Sequence, residues 1–218
     1  MSIGAEPGLA SKLMVELYTA GAAVCVVIAL QCLLINELAV GTWWLAPMLE
    51  VVLLVMMLLT ASRFSSAGRR LRMMAFVLTA FITIVNLLAL VDLLRALMTG
   101  RSEVGTTLLL DAVNVWTTNV IAFALAFWCV DRSGPLSQPE GGREFLFPQH
   151  TLGEGHKAQA FAPGFIDYLF LSFTTATAFS PTDTAPLTQK MKLLMMAEAS
   201  ISFLTVAFVA ARAVNILA

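Results

Sequence analysis

Charge is scarce in this chain. Of its 218 residues only 12% are Asp, Glu, Lys or Arg, where a soluble domain of similar length carries about 25%. That deficit excludes an ordinary water-soluble surface. The net charge of −1 offers no basic footprint, so no nucleic acid is expected as a partner. Three cysteines, Cys25, Cys32 and Cys129, lie inside apolar segments with no CxxC among them. They read as buried small hydrophobes rather than a disulfide framework or metal ligands. Histidine is nearly absent: His150 and His156 flank Glu154 in a Gly-rich stretch without cysteine, and no metal is expected there. Nucleophile elbow, zincin, P-loop and dinucleotide signatures are all missing. No catalytic residue, cofactor or enzyme activity is therefore expected.

Apolar residues fill the space that charge leaves. They make up 59% of the chain, and the mean hydropathy is +0.84. A bilayer core of about 30 Å needs roughly 20 helical residues. Leu13 to Ile35, Thr42 to Ser62, Leu71 to Met98, Thr106 to Val130 and Gln189 to Leu217 all qualify. Lys12 precedes a first apolar run too long for a cleaved signal, so an uncleaved first span is expected. Trp43, Trp44 and Trp128 lie at segment ends, where amphipathic rings favour the interface. The long connection after Asp131 is rich in Pro, Gly and charge, and reads as a solvent-exposed loop. Its insert EFLFPQ is apolar enough to dock on the bundle or the membrane surface. Three parts follow: a four-span bundle over 1–131, the loop over 132–163 and a last module over 164–218. The fold expected is an all-α integral membrane protein of about five transmembrane helices plus one re-entrant, pore-like helix.

That last module holds the anomaly. Gly164 to Phe179 is helical in pattern but short for a span, and TTATAFSPTDTAPLT (174–188) follows before the final span. A short helix, irregular polar backbone and then a full span is the pattern of a re-entrant loop. Such backbone survives at membrane depth only under protein or beside a water-filled cavity. Several subunits around an axis would supply both.

YLFLSFTTATAFSPTDTAPLT resembles the pore module of tetrameric potassium-channel-type proteins, which consists of pore helix, filter and inner helix. Thr175, Ala176 and Thr177 match the start of the family's filter motif, Ala178 to Thr182 the filter, and Asp183 its closing acid. Pro186 and Thr188 match the following P-x-T, and Glu198 an inner-helix glutamate. The resemblance implies pore-lining or ion-binding roles for Thr175, Thr177, Phe179, Ser180, Pro181, Thr182 and Asp183; Glu198, about two to three turns into the last span, either faces a vestibule or pairs behind the pore loop. It covers about a quarter of the chain (164–218), and the first four spans carry no arginine ladder. Ser180 and Thr182 replace the family's two filter glycines and Pro181 fixes φ, which argues against a carbonyl-lined potassium filter. The chain is also similar to a group of uncharacterised bacterial integral membrane proteins, a likeness that implies no activity. The expectation is an oligomeric, tetrameric pore-loop channel for monovalent cations, of low or non-potassium selectivity, in the bacterial inner membrane. The rival is a non-conducting protein or small-solute carrier that retains the channel-like fold.

Each of these residues also has a plainer reading. Ser180-Pro181-Thr182-Asp183 satisfies a helix start, with Asp183 as a capping acid. Thr174, Thr175 and Thr177 can bond back to helix carbonyls. Glu50 lies deep enough in the second span to need a partner or water. Asp92 and Arg95 are spaced to pair with each other. The stripes Asp111, Asn114, Thr118 and Thr79, Thr83, Asn86 are spaced to join helices. Arg63, Arg69, Arg70 and Arg72 cluster between the second and third spans with no acid among them. The positive-inside rule puts them, and with them the N-terminus, in the cytoplasm.

Overall fold

The computed structural model describes residues 7–34, 45–63, 68–99, 105–131, 143–151, 161–177 and 184–217. The chain is mostly helical. In order it forms α1 (Pro7–Leu34), α2 (Leu45–Arg63), α3 (Gly68–Thr99), α4 (Gly105–Val130), α5 (Phe165–Ala176) and α6 (Gln189–Leu217). A 3-10 turn spans Pro148–His150, and strands β1 (Phe145–Leu146) and β2 (Ala185–Pro186) pair antiparallel. Prolines open α1 and sit in the first turn of α2, where the missing N–H has no helical partner to lose.

Four helices are long and apolar enough to cross a membrane: Met14–Cys32, Met73–Arg95, Leu109–Val130 and Gln189–Ala211. The chain is thus a multi-pass membrane protein. The segment expected as a second span forms helix α2, 19 residues long, with Glu50 buried within it. At 12 residues, α5 is about 18 Å long and falls short of the hydrocarbon thickness.

At the centre stands α4, which packs against α1, α3, α5 and α6. Its residues from Thr118 to Leu125 are buried on every side, as expected of a helix that is apolar all round. The outer helices are inverted by comparison with a soluble bundle. On α6, Leu193, Met196, Phe203 and Val206 point outward, while Met191, Met195, Glu198, Ser202 and Thr205 point in. Hydrocarbon outside and hydrogen-bond partners inside produce that arrangement.

Two expectations about surface residues fail here. Cys25 and Cys32 are exposed on the outer face of α1, and among the cysteines only Cys129 is buried. Sulfur is small and apolar enough to face lipid as readily as core. Trp128 does not sit at an interface either. It is buried, its ring edge-on to Phe165 at 6.1 Å, because α5 and its approach cover that end of α4.

Within the long connection the apolar insert EFLFPQ docks on the bundle, as its composition leads one to expect, and residues 144–147 are part of the core. Phe145 is wholly buried, with ring centroids 5.4 Å from Phe127 and 6.4 Å from Tyr168. Phe147 stacks edge-on with Tyr168 at 5.5 Å and lies 6.1 Å from Phe161. Such offset aromatic pairs add to simple area burial. Phe145→Ala is expected to cost about 3–5 kcal/mol, read as a lower melting temperature and faster proteolysis between 132 and 163. A variant as stable and as protease-resistant as the parent would show that this segment is not part of the core.

Candidate functional site

Three tethers hold α5, one at its start, one at its middle and one where the chain resumes after it. At the start, Gly164 N–H donates to Asp167 Oδ2 at 2.8 Å, and Phe165 N–H donates to the Glu16 carboxylate of α1. Both acids satisfy otherwise orphaned N–H groups at the positive end of the helix dipole. A Cβ at Gly164 would meet the Glu16 carboxylate, so a larger residue there would have to displace the side chain that accepts from Phe165 N–H. In the middle, Ser172 Oγ lies 2.6 Å from the Val120 carbonyl of α4 and is also hydrogen-bonded to Glu198 of α6.

Glu144 organises the third tether. Its N–H donates to Asp131 Oδ1 (3.1 Å), and the other oxygen of Asp131 accepts from Tyr168 Oη on α5 (2.6 Å). The Glu144 carbonyl accepts from Leu187 N–H at 2.8 Å. Its carboxylate accepts from the Thr188 hydroxyl and from Lys190 Nζ at 3.2 Å. Register completes the clamp, with Phe145 opposite Pro186 and Leu146 opposite Ala185. The chain is therefore fixed on both sides of 178–183: before it by α5, and after it by β2 and the first turn of α6.

Of the residues expected to line a pore, Thr175 and Thr177 are described. Their hydroxyls return to their own helix: Thr175 donates to Leu171 O (2.9 Å), and Thr177 lies 3.1 Å from both Phe173 O and Thr174 O. Thr174 does the same, 2.9 Å from both Phe170 O and Leu171 O. Phe179, Ser180, Pro181, Thr182 and Asp183 lie outside the described residues. Glu198 is fully buried and joins α6 to α5 and α4. Beside it, Asn119 Nδ2 donates to Glu198 O (3.3 Å) and to Ser202 Oγ (2.9 Å).

The other polar residues of the spans form contacts both between helices and within them. Gln31 Nε2 of α1 donates to Glu50 Oε1 of α2 at 3.1 Å. Thr79 lies 3.9 Å from Cys129 Sγ, and Thr118 donates to Asn114 Oδ1 at 3.3 Å. Arg95 pairs with Asp92 at 3.4 Å on an exposed face. Among the described residues, no three His, Cys, Asp or Glu side chains converge as a metal site would need.

Sequence reasoning did not single out Glu16, Asn119, Asp131, Glu144, Tyr168 or Ser172. One signal for the deep set was present. The buried positions Met191, Met195, Glu198, Ser202 and Thr205 follow a strict three-and-four spacing, which places Glu198 on an inward stripe. The Glu144 clamp joins residues tens of positions apart and has no comparable periodic trace.

Compared with protein-family models, with curated proteins and with solved structures, the chain finds no match.

His150 fastens the docked segment from outside the spans. Its Nδ1 accepts from Phe147 N–H (3.2 Å), and its Nε2 faces Phe161 O at 3.3 Å. This requires the neutral ring with hydrogen on Nε2. Burial lowers its pKa, the Arg143 charge lowers it further, and the Phe161 carbonyl and Asp131 partly offset both. The unfolded state therefore binds more protons than the folded one near the ordinary imidazole range. The contribution is full above that range and is lost as pH falls through it. Hydrogen exchange at the Phe147 amide is expected to quicken on mild acidification in the parent, and to be fast at every pH in His150→Ala. An amide whose protection is insensitive to both changes would contradict this role.

Proposed function

We propose that the chain is a subunit of an oligomeric pore-loop protein that passes monovalent cations, with residues 177–184 forming the turn of a re-entrant segment. One observation carries the reading: α5 is too short to cross, and the chain before it and after it is pinned at one end of the bundle. Tyr168 near the start of α5 and Leu187 just before α6 are both tied into the Asp131–Glu144 clamp. Ser172, in contrast, lies well inside, bonded to mid-helix positions of α4 and α6. A helix that starts at the clamp and points inward must be followed by a return. Eight residues reach at most about 29 Å, enough to bring 177–184 back over an 18 Å helix.

The geometry also suits a cation. The α5 C-terminus directs partial negative charge inward, and the polar loop that follows carries Asp183. The outward stripe Ile166, Phe170 and Phe173 meets the neighbouring subunit in a tetramer, which gives the loop the protein cover that irregular backbone requires. By the positive-inside rule the Arg63–Arg72 cluster supports a cytoplasmic clamp end and N-terminus in an inner-membrane protein. The second reading, a non-conducting protein or small-solute carrier, has one observation in its favour. The hydroxyls of Thr174, Thr175 and Thr177 donate to their own helix rather than into an open path.

Asp183→Asn separates the two. A ring of carboxylates concentrates cations and repels anions, so the Asn variant is expected to lower cation flux into liposomes. Cation-over-anion preference falls with it, most at low ionic strength where screening is weak. Cysteine cross-links between subunits at Thr182 check that assembly is intact. Unchanged flux and selectivity in an assembled Asn variant would leave Asp183 as a helix cap and favour the second reading.

A further inference from the structure

We infer that Glu198 is a proton-binding site inside the membrane bundle, its neutral carboxyl donating a hydrogen bond to Ser172. This does not rest on the cation-path reading.

The inference starts from a count of hydrogens. A serine hydroxyl carries one hydrogen and two lone pairs. Ser172 Oγ is within hydrogen-bond distance of two oxygens, the Val120 carbonyl at 2.6 Å and Glu198 Oε1. The carbonyl can only accept. If Glu198 were a carboxylate it too could only accept, and one hydrogen would have to serve both contacts. With the proton on Glu198, each contact has its own hydrogen: Glu198 donates to Ser172, and Ser172 donates to Val120 O.

Among the described residues the surroundings supply no substitute donor. Asn119, the nearest amide, uses its Nδ2 hydrogens on Glu198 O and Ser202 Oγ. Thr175, one turn along α5, donates to Leu171 O. From α6 itself Met195 and Ser202 lie on the same inward face. From α3 the contact with α6 is apolar, through Leu90 and Leu93 against Ile201 and Val209. Of the ion pairs among the described residues, Arg95–Asp92 and Lys190–Glu144, neither includes Glu198. Its second oxygen is buried and has no hydrogen-bond partner among the described residues. As the carbonyl oxygen of a neutral acid that atom is tolerable. As half of an unpaired carboxylate it would carry a full desolvation penalty.

The proton is then a ligand that ties α5 to α6. Its loss turns a donor into an acceptor, and Ser172 must give up either Val120 or Glu198. The site lies where the short helix meets the last span, so proton occupancy and the attachment of α5 are one equilibrium.

Infrared difference spectra of the protein in liposomes test this at neutral pH, taking the parent minus Glu198→Gln. Glutamine keeps the shape and can donate its amide hydrogen to Ser172, so the fold has its bond. The expected result is loss of one carboxylic-acid C=O band in the variant with no loss of carboxylate intensity. Loss of a carboxylate band instead would overturn the proposal. If the Gln variant does not fold, Ser172→Ala reads the same site. It is expected to shift an acid C=O band to higher frequency, and an acid-band region identical to the parent's would likewise overturn the proposal.

Discussion

A polar atom moved from water into the middle of this bundle loses its hydrogen bonds unless another part of the chain returns them. The packing of α5 follows from that constraint. Its N-terminal amides are met by Glu16 and Asp167, its phenol by Asp131, and its serine by Val120 and Glu198. These partners come from α1, α5 itself, the end of α4, mid-α4 and α6. A short helix whose polar groups are met by three other helices and by its own Asp167 is held closely in position. The Glu144 clamp extends the same logic to the chain beyond the polar loop.

The membrane class and most of the helices were legible in the sequence, because length and apolarity are local properties that a bilayer enforces. The five expected apolar segments correspond to α1, α2, α3, α4 and α6, and the short helix Gly164 to Phe179 to α5. The inward direction of Glu198 was readable too, from the spacing of Met191, Met195, Ser202 and Thr205. What escaped was everything set by pairing over long separations. Glu144 meets Lys190 across 46 positions and Phe165 meets Glu16 across 149. No pattern in composition announces such partners. Trp128 was misplaced for a related reason: a tryptophan at a helix end favours the interface only when nothing packs over it, and here Phe165 does.

The polar threonines show how far a resemblance carries. Likeness to a potassium-channel-type pore module assigned Thr175 and Thr177 to an ion path, whereas their hydroxyls donate to helix carbonyls. Each oxygen retains lone pairs as acceptors, so back-bonding fixes the rotamer and leaves acceptor capacity. Glu198 takes the second of the two places open to it: it sits behind α5, bonded to Ser172 of that helix. In this arrangement the last span supports the short helix through a buried acid, and the chain is held on both sides of 178–183.

The central claim is that the chain turns back after α5, so its two flanks share one side of the membrane. Thr151 and Leu187 are both exposed and lie on either side of α5 in sequence. Single cysteines at these two positions, probed with a membrane-impermeant maleimide on vesicles of known orientation, measure it directly. The account predicts that both label from the same side, with a cysteine at Arg101 labelling from the other. Labelling of the Thr151 and Leu187 cysteines from opposite sides would make α5 part of a crossing segment and contradict the account.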